Sequence, residues 1–265
     1  MSYTNYNHSF RRNRLSEPAR LRAAENIWTP TATQGYMLGC IYDLNDGRRF
    51  RYCKNGAGAL TIAQGTQQAV ETANWVSEVQ TNNTDLPTAG DTSMNVVMAS
   101  TAAKDAFAGG IAWVESSTGI GTEYRIKGNK VGVANATSGY DVSIELADEG
   151  GVRIAYAVTS FISVKINTYK DVIAFPTNPT GVCTGFCKTA VPAEYFFWGQ
   201  TKGECVCMNG SDAIVTGDQV CIGAQAEGVL SLEDGAAPNE GDVTVGYAIR
   251  AAGSGEAALV MLTIE

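Results

Sequence analysis

Residues 196–232 leave few choices of fold. Short apolar runs of about strand length alternate there with Gly, Asn and Asp. Phe196, Phe197 and Trp198 form the densest aromatic cluster of the chain. Val206 with its flanking Cys205 and Cys207, then Ile214–Val215, Val220–Ile222 and Val229–Leu230, read as successive strands. Gly203, Asn209-Gly210, Gly217-Asp218 and Gly228 fall where turns are expected. Closely spaced short strands of this kind predict an antiparallel barrel or sandwich.

The rest of the chain fits that class. Its 265 residues allow one large β domain or two small ones. Charged residues make up only 17%, below the usual quarter, and Gly is abundant at 29. The low charge suggests a surface partly covered by neighbouring subunits. A net charge of −8 argues against a general nucleic-acid partner, which would need an excess of Lys and Arg. No apolar run approaches the ~20 residues of a membrane span. The start of the chain has no apolar h-region, so no secretory signal is expected, and with Met1 in place the chain reads as a primary product. Seven Cys, at 40, 53, 183, 187, 205, 207 and 221, cannot all pair within one chain, and they predict free thiols in a reducing compartment.

Residues 1–34 differ from the rest of the chain. Arg11, Arg12, Arg14, Arg20 and Arg22 oppose Glu17 and Glu25, a balance of +3 that leaves −11 for the remainder. Residues 19–26 could form a short helix with Pro18 in its first turn. The segment reads as an extended basic arm or as a plain tail. Tyr3, Tyr6, Phe10, Leu15, Leu21, Ile27 and Trp28 favour a binding arm, because tails that bind nothing seldom carry so many large apolar side chains. The expected contact residues are Tyr3, Tyr6, Phe10, Arg11, Arg12, Arg14, Arg20, Arg22 and Trp28.

Further along, 37–44 and 48–53 predict a hairpin about Asn45-Asp46-Gly47, with Phe50 and Tyr52 on one face and Arg49 and Arg51 on the other. Residues 74–93 read as a loop, 94–99 as a strand and 101–108 as one or two helical turns. The clearest hairpin is 111–115 with 122–127. Strands are also expected at Val131, Val133, 142–146, 152–158 and 161–166. Pro176, Pro179 and Pro192 make central strands unexpected near 176–192 and place a domain junction there. The closing strand, 257–264, is nearly all apolar and reads as central. The resulting division is an arm over 1–34, one β domain over 35–176 and a second over 177–265.

Residues for chemistry are scarce. His8, the only histidine, lies in the arm, so a Ser-His-Asp or Cys-His arrangement has no base in the body. Cys183, Cys187, Cys205 and Cys207 invite a zinc reading. Cys205 and Cys207 sit two apart on a strand, ~7 Å from each other given a rise of ~3.4 Å. Zinc ligands converge more closely than that. Small buried thiols are the better reading. Gly253-x-Gly255-x-x-Ala258 matches a loose dinucleotide fingerprint, but the chain has no room after it for the helix and second strand, so it reads as a hairpin turn. Carboxylates cluster in turns, where solvation is the default. The basic-aromatic run 48–52 could stack on bases, but in an acidic body an acidic protein neighbour or a solvated strand face fits better. No catalytic, cofactor or metal site is expected.

The segments DLNDGRRFRYCKNGAGAL and FAGGIAWVESSTGIGTEYRIKGN resemble those of structural proteins in tailed-phage virions. The C-terminal part is similar to head decoration, or capsid cement, proteins. It has an aromatic-Trp-x-Gln strand (Phe197 to Gln200), Gly203, an apolar strand (Cys205 to Met208), a Gly217-Asp218 turn and a closing strand pair between Gly246 and Ile264. The resemblance implies a virion protein on the capsid exterior, present in the host cytoplasm during assembly. Its implied partners are the major capsid protein and further copies of itself, more as trimers than dimers, with neither nucleic acid nor membrane bound. A tail or head-fibre component is the alternative. A carbohydrate-binding β protein using Trp113 or Trp198 as a platform is the rival from another class.

Overall fold

The computed structural model describes residues 26–70, 78–80, 85–134, 139–176, 180–210, 213–222, 230–232 and 243–265. Three strands come first: β1 (Ile41–Asp43), β2 (Arg49–Lys54) and β3 (Gly65–Gln68). Seven more are β4 (Glu78–Gln80), β5 (Ser93–Met98), β6 (Ile111–Ser116), β7 (Glu123–Asn129), β8 (Val133–Ala134), β9 (Tyr140–Leu146) and β10 (Phe161–Lys165). The last are β11 (Val172–Ala174), β12 (Cys183–Cys187), β13 (Phe196–Met208), β14 (Gln219–Ile222), β15 (Leu230–Leu232), β16 (Val243–Arg250) and β17 (Ala257–Thr263). Every pairing between these strands is antiparallel, and no helix occurs among the described residues. The protein is all-β, as the two-residue periodicity predicts.

The seven middle strands form one sheet that closes on itself. They run β5-β4-β10-β6-β7-β9, and β9 pairs back onto β5, leaving β8 as an appendage on β9. Alternation builds the interior. Met94, Val96 and Met98 of β5 face inward, opposite Ile144, Val142 and Tyr140 of β9. Ala112 and Val114 of β6 lie opposite Val164 and Ile162 of β10, and Tyr124 and Ile126 of β7 complete the wall. Phe107, Ala102, Val152 and Tyr156, from connecting segments, pack into the same core. Asn129 holds one connector in place: its Oδ1 accepts from Phe107 N at 3.0 Å, and its Nδ2 donates to Ala103 O and Lys130 O. Closure removes the free edges that an open sheet of this size would expose.

The other ten strands form the second sheet, with β13 at its centre. Along its thirteen residues β13 pairs with β2 (196–202), with β12 (199–200) and with β17 (202–208). Gly203 is not a turn, as expected, but an interior residue of this strand with φ +84°. A Cβ there would stand 3.0 Å from Arg48 Cα, so glycine lets the β1–β2 hairpin turn approach. The other expected turns hold at Gly217-Asp218, where Asp218 accepts from Val215 N, and at 253–255 between β16 and β17.

Four expectations about organisation are corrected. The split at 176 does not match the pairing, because β2 and β3 join β13 and β12 in one sheet. The chain leaves that sheet after β3, builds the closed barrel, and returns in β11 directly beside β3. The region 176–192, read as a junction unsuited to central strands, contains β12 between β3 and β13, with all five residues buried. Residues 152–158 are not a strand: Val152 and Tyr156 drop into the barrel core instead. Residues 101–108 form successive tight turns rather than helix.

Polar side chains tie the barrel to the second sheet. Lys165 Nζ donates to Gln68 Oε1 at 2.7 Å, Asn167 Nδ2 reaches Leu38 O and Gly109 O, and Lys170 Nζ donates to Ala106 O at 2.7 Å. Burial of Lys170 pushes its pKa down from the usual lysine value.

Candidate interaction surface

The N-terminal segment enters the described body at Asn26. Asn26 organises a local turn: its Oδ1 accepts from Trp28 N, and its Nδ2 donates to Thr29 Oγ1. Ile27 is buried among Phe50, Tyr52, Phe196 and Trp198. Thr31 then bridges Phe196 through two backbone hydrogen bonds of 2.9 and 2.8 Å, and Gly35 N donates to Tyr52 Oη. The expected arm of 1–34 is corrected over its last nine residues, since 26–34 belongs to the body, and 1–25 lies outside the described residues. The physical reason is the aromatic cluster, whose open side Ile27 covers. Tyr36, Tyr42 and Tyr52 have ring centroids 5.4, 5.5 and 5.0 Å from Trp198.

Of the expected contact residues, only Trp28 is described, and it is 54% exposed beside the buried Ile27. Tyr3, Tyr6, Phe10, Arg11, Arg12, Arg14, Arg20 and Arg22 lie outside the described residues, as does His8.

The basic hairpin is not an open cationic patch. Arg48 pairs with Asp46, Arg49 with Asp43, and Lys54 with both Asp171 and Glu194. Arg51 binds Glu265 at 2.7 Å, donates through Nη1 to Gly39 O, and lies over the Tyr169 ring at 5.4 Å. Phe50 and Tyr52 point into the aromatic cluster, as the alternation predicts. The positive charges of this hairpin are thus matched within the chain, which leaves little for stacking on bases or for an acidic neighbour.

The seven cysteines are free thiols, and all but Cys40 are buried. Cys205 and Cys207 share the inward face of β13 with Cys183 of β12 in one apolar cluster. A hydrogen bond from Cys207 Sγ, aided by the Lys188 ammonium at 3.6 Å, holds the Cys205 thiol below its ordinary range despite burial. Burial pushes Cys207, Cys53 and Cys187 well up, and Cys183 up to about 12. Among the described residues no three His, Cys, Asp or Glu side chains converge as a metal set.

The four raised thiols, Cys53, Cys183, Cys187 and Cys207, set an alkaline limit. The core accepts them only when neutral, whereas the unfolded chain ionises them near the ordinary value of 9.0. Their stabilising contribution is full below about pH 9 and is lost as pH rises through the higher folded values, at about 1.4 kcal/mol per unit for each thiol. The denaturant midpoint should be level from pH 7 to 8.5 and fall steeply above 9, with Cys53→Ala softening the fall. A level midpoint up to pH 11 would show that the thiols titrate normally in the fold.

Two shallow grooves, of about 190 and 210 Å³, lie on the outside of the barrel. Lys127, Lys130, Ser143 and Glu145 line the first, and Asp85, Asn95, Lys130 and Asp141 line the second. Both are below the ~300 Å³ at which small-molecule sites begin. Trp198 is buried and offers no platform for a sugar, and Trp113 is half-buried.

The outward face of the second sheet is different. Glu204 of β13, Met261 of β17 and Tyr247 of β16 form one row across three strands, with Val206, Leu259 and the exposed Arg250 in the next. Val206, Met261 and Tyr247 are exposed, although their sequence neighbours Cys205, Cys207, Val260 and Leu262 are buried on the opposite face. Alternation along 202–208 marks only Val206 of this stripe as an apolar residue in an outward position, where a solvated strand is ordinarily polar. Comparison with protein-family models, curated proteins and solved structures finds no match to this chain.

Proposed function

We propose that this chain is a structural virion protein. It decorates the exterior of a tailed-phage capsid as a homo-oligomer and bridges neighbouring major capsid subunits. The observation that carries the reading is the fixed root of the N-terminal segment. Ile27 and Thr31 anchor residues 26–34 on β13, and the 25 residues before them carry +3 and several aromatic side chains against −11 for the rest of the chain. Arginine suits paired hydrogen bonding to carboxylates on a neighbour. A tethered segment engages its second site at high effective concentration, so weak contacts repeated over a symmetric shell become firm. The closed barrel and the β13-centred sheet supply two rigid cores that hold such a root in place. The resemblance of 196–265 to cement proteins points the same way.

The test is co-sedimentation with intact, DNA-filled heads, then electron microscopy of the particles. The expected result is density on the capsid exterior between neighbouring capsomers. Density confined to the tail or to head fibres would replace this reading with the tail or fibre one. Absence of co-sedimentation, together with binding on a glycan array, would replace it with the carbohydrate-binding one.

A further inference from the structure

We propose that Cys205 and Lys188 are a modification site, joined by a sulfur–nitrogen bond when the folded protein meets hydrogen peroxide. Lys188 follows the last residue of β12, and its Nζ donates to Cys205 Sγ of β13 at 3.6 Å. Cys205 is 1% exposed and Lys188 is half-buried, so the lysine side chain leads from the surface to the thiol.

The contact sets Cys205 apart from the other core thiols. Burial raises Cys53, Cys183, Cys187 and Cys207, whereas a hydrogen bond from Cys207 and the Lys188 ammonium hold Cys205 down. The thiolate, not the thiol, is the nucleophile, so peroxide should select Cys205 among these five.

The chemistry takes two steps. The Cys205 thiolate attacks one peroxide oxygen, the O–O bond breaks, and the sulfur becomes a sulfenic acid as hydroxide leaves. The sulfur loses two electrons and the peroxide gains them. The Lys188 ammonium gives one proton to that hydroxide and becomes a neutral amine. Its lone pair then attacks the sulfenic sulfur. The S–N bond forms, the S–O bond breaks, and the departing hydroxyl takes a second amine proton as water. The balance is thiolate, ammonium and peroxide in, and bridge and two waters out. Sulfenic acids are known to condense with a nitrogen in this way.

Cys207 is the rival for the oxidised sulfur, and its placement works against it. Cys205 pairs with Val260 and Cys207 with Ala258, which holds β13 extended across both thiols. Residues two apart on such a strand stand ~7 Å from each other. The Cβ atoms of a disulfide lie about 3.5–4.5 Å apart. Lys188 instead brings its nucleophile on a flexible four-carbon stem, already in contact, so the backbone need not move. The bridge staples the end of β12 to β13 at the centre of the second sheet, and it does not depend on the capsid reading.

The experiment treats the folded full chain with stoichiometric hydrogen peroxide, removes the excess with catalase, and counts thiols with N-ethylmaleimide after denaturation. One of the seven thiols should be lost, leaving six, and dithiothreitol should restore it. Trypsin at neutral pH should fail to cut after Lys188 and should yield peptide 171–202 joined to peptide 203–250, about 2 Da below their summed mass. Lys188→Arg keeps the positive charge without an amine that can attack, and should abolish the joined peptide. Cys207→Ala should leave it in place. Loss of two thiols with normal cleavage after Lys188 means a disulfide and overturns the proposal. So does retention of all seven, loss of one without a joined peptide, or a joined peptide that persists in Lys188→Arg.

Discussion

Trp198→Ala should lower stability by about 3–5 kcal/mol, the usual range for removing a buried Trp. Trp198 is 6% exposed, and its ring touches those of Tyr36, Tyr42 and Tyr52. Each such aromatic pair contributes about 0.5–1.5 kcal/mol beyond its area. Whole domains are stable by about 5–15 kcal/mol, so the loss would be a large fraction of the total. At about 2–4 °C per kcal/mol for a domain of 150–250 residues, the melting temperature should fall by roughly 10 °C. The variant should also free 26–36 for hydrogen exchange, because Ile27 and Tyr36 lean on the same ring system. A loss under about 1 kcal/mol would mean that the cluster does not clamp the N-terminal segment to β13.

The importance of β13 was legible because Phe196, Phe197 and Trp198 precede a clean alternation over 202–208. Its continuity was not. Gly203 reads locally as a turn, and only the approach of Arg48 explains a glycine inside a strand. Most barrel strands were legible from alternation, as in Ala112/Val114 and Tyr124/Ile126. Closure was not, because pairing of β5 with β9 joins segments far apart in the chain and leaves no local mark. β12 escaped for the opposite reason: Cys183 to Cys187 is buried on both faces, which erases the period of two. β3 carries no apolar alternation because it is polar. Thr66, Gln67 and Gln68 are buried, and their side chains bond to Thr184, Thr180 and Lys165. The outward stripe of Val206, Met261 and Tyr247 required the register, since these residues are adjacent only across strands.

Two truncations separate the leash from its root. Deletion of residues 2–25 should leave the melting temperature of an isolated subunit within a degree or two, since Ile27 and Thr31 remain in place. Deletion of residues 2–34 should cost far more. It removes a buried Ile27, worth about 1.5–3 kcal/mol. It also removes the two backbone bonds of Thr31 to Phe196, at about 0.5–1.5 kcal/mol each. Phe196, Tyr52 and Trp198 would then face water where Ile27 had covered them. The sum is about 3–6 kcal/mol, or a fall of roughly 10 °C or more by the same scaling. The two truncations differ only in residues 26–34. A shared loss of attachment to heads with a difference in melting temperature therefore assigns binding to 1–25 and folding to 26–34. Equal melting temperatures would show that 26–34 is not part of the body, and undiminished attachment by the shorter deletion would make 1–25 a passive tail.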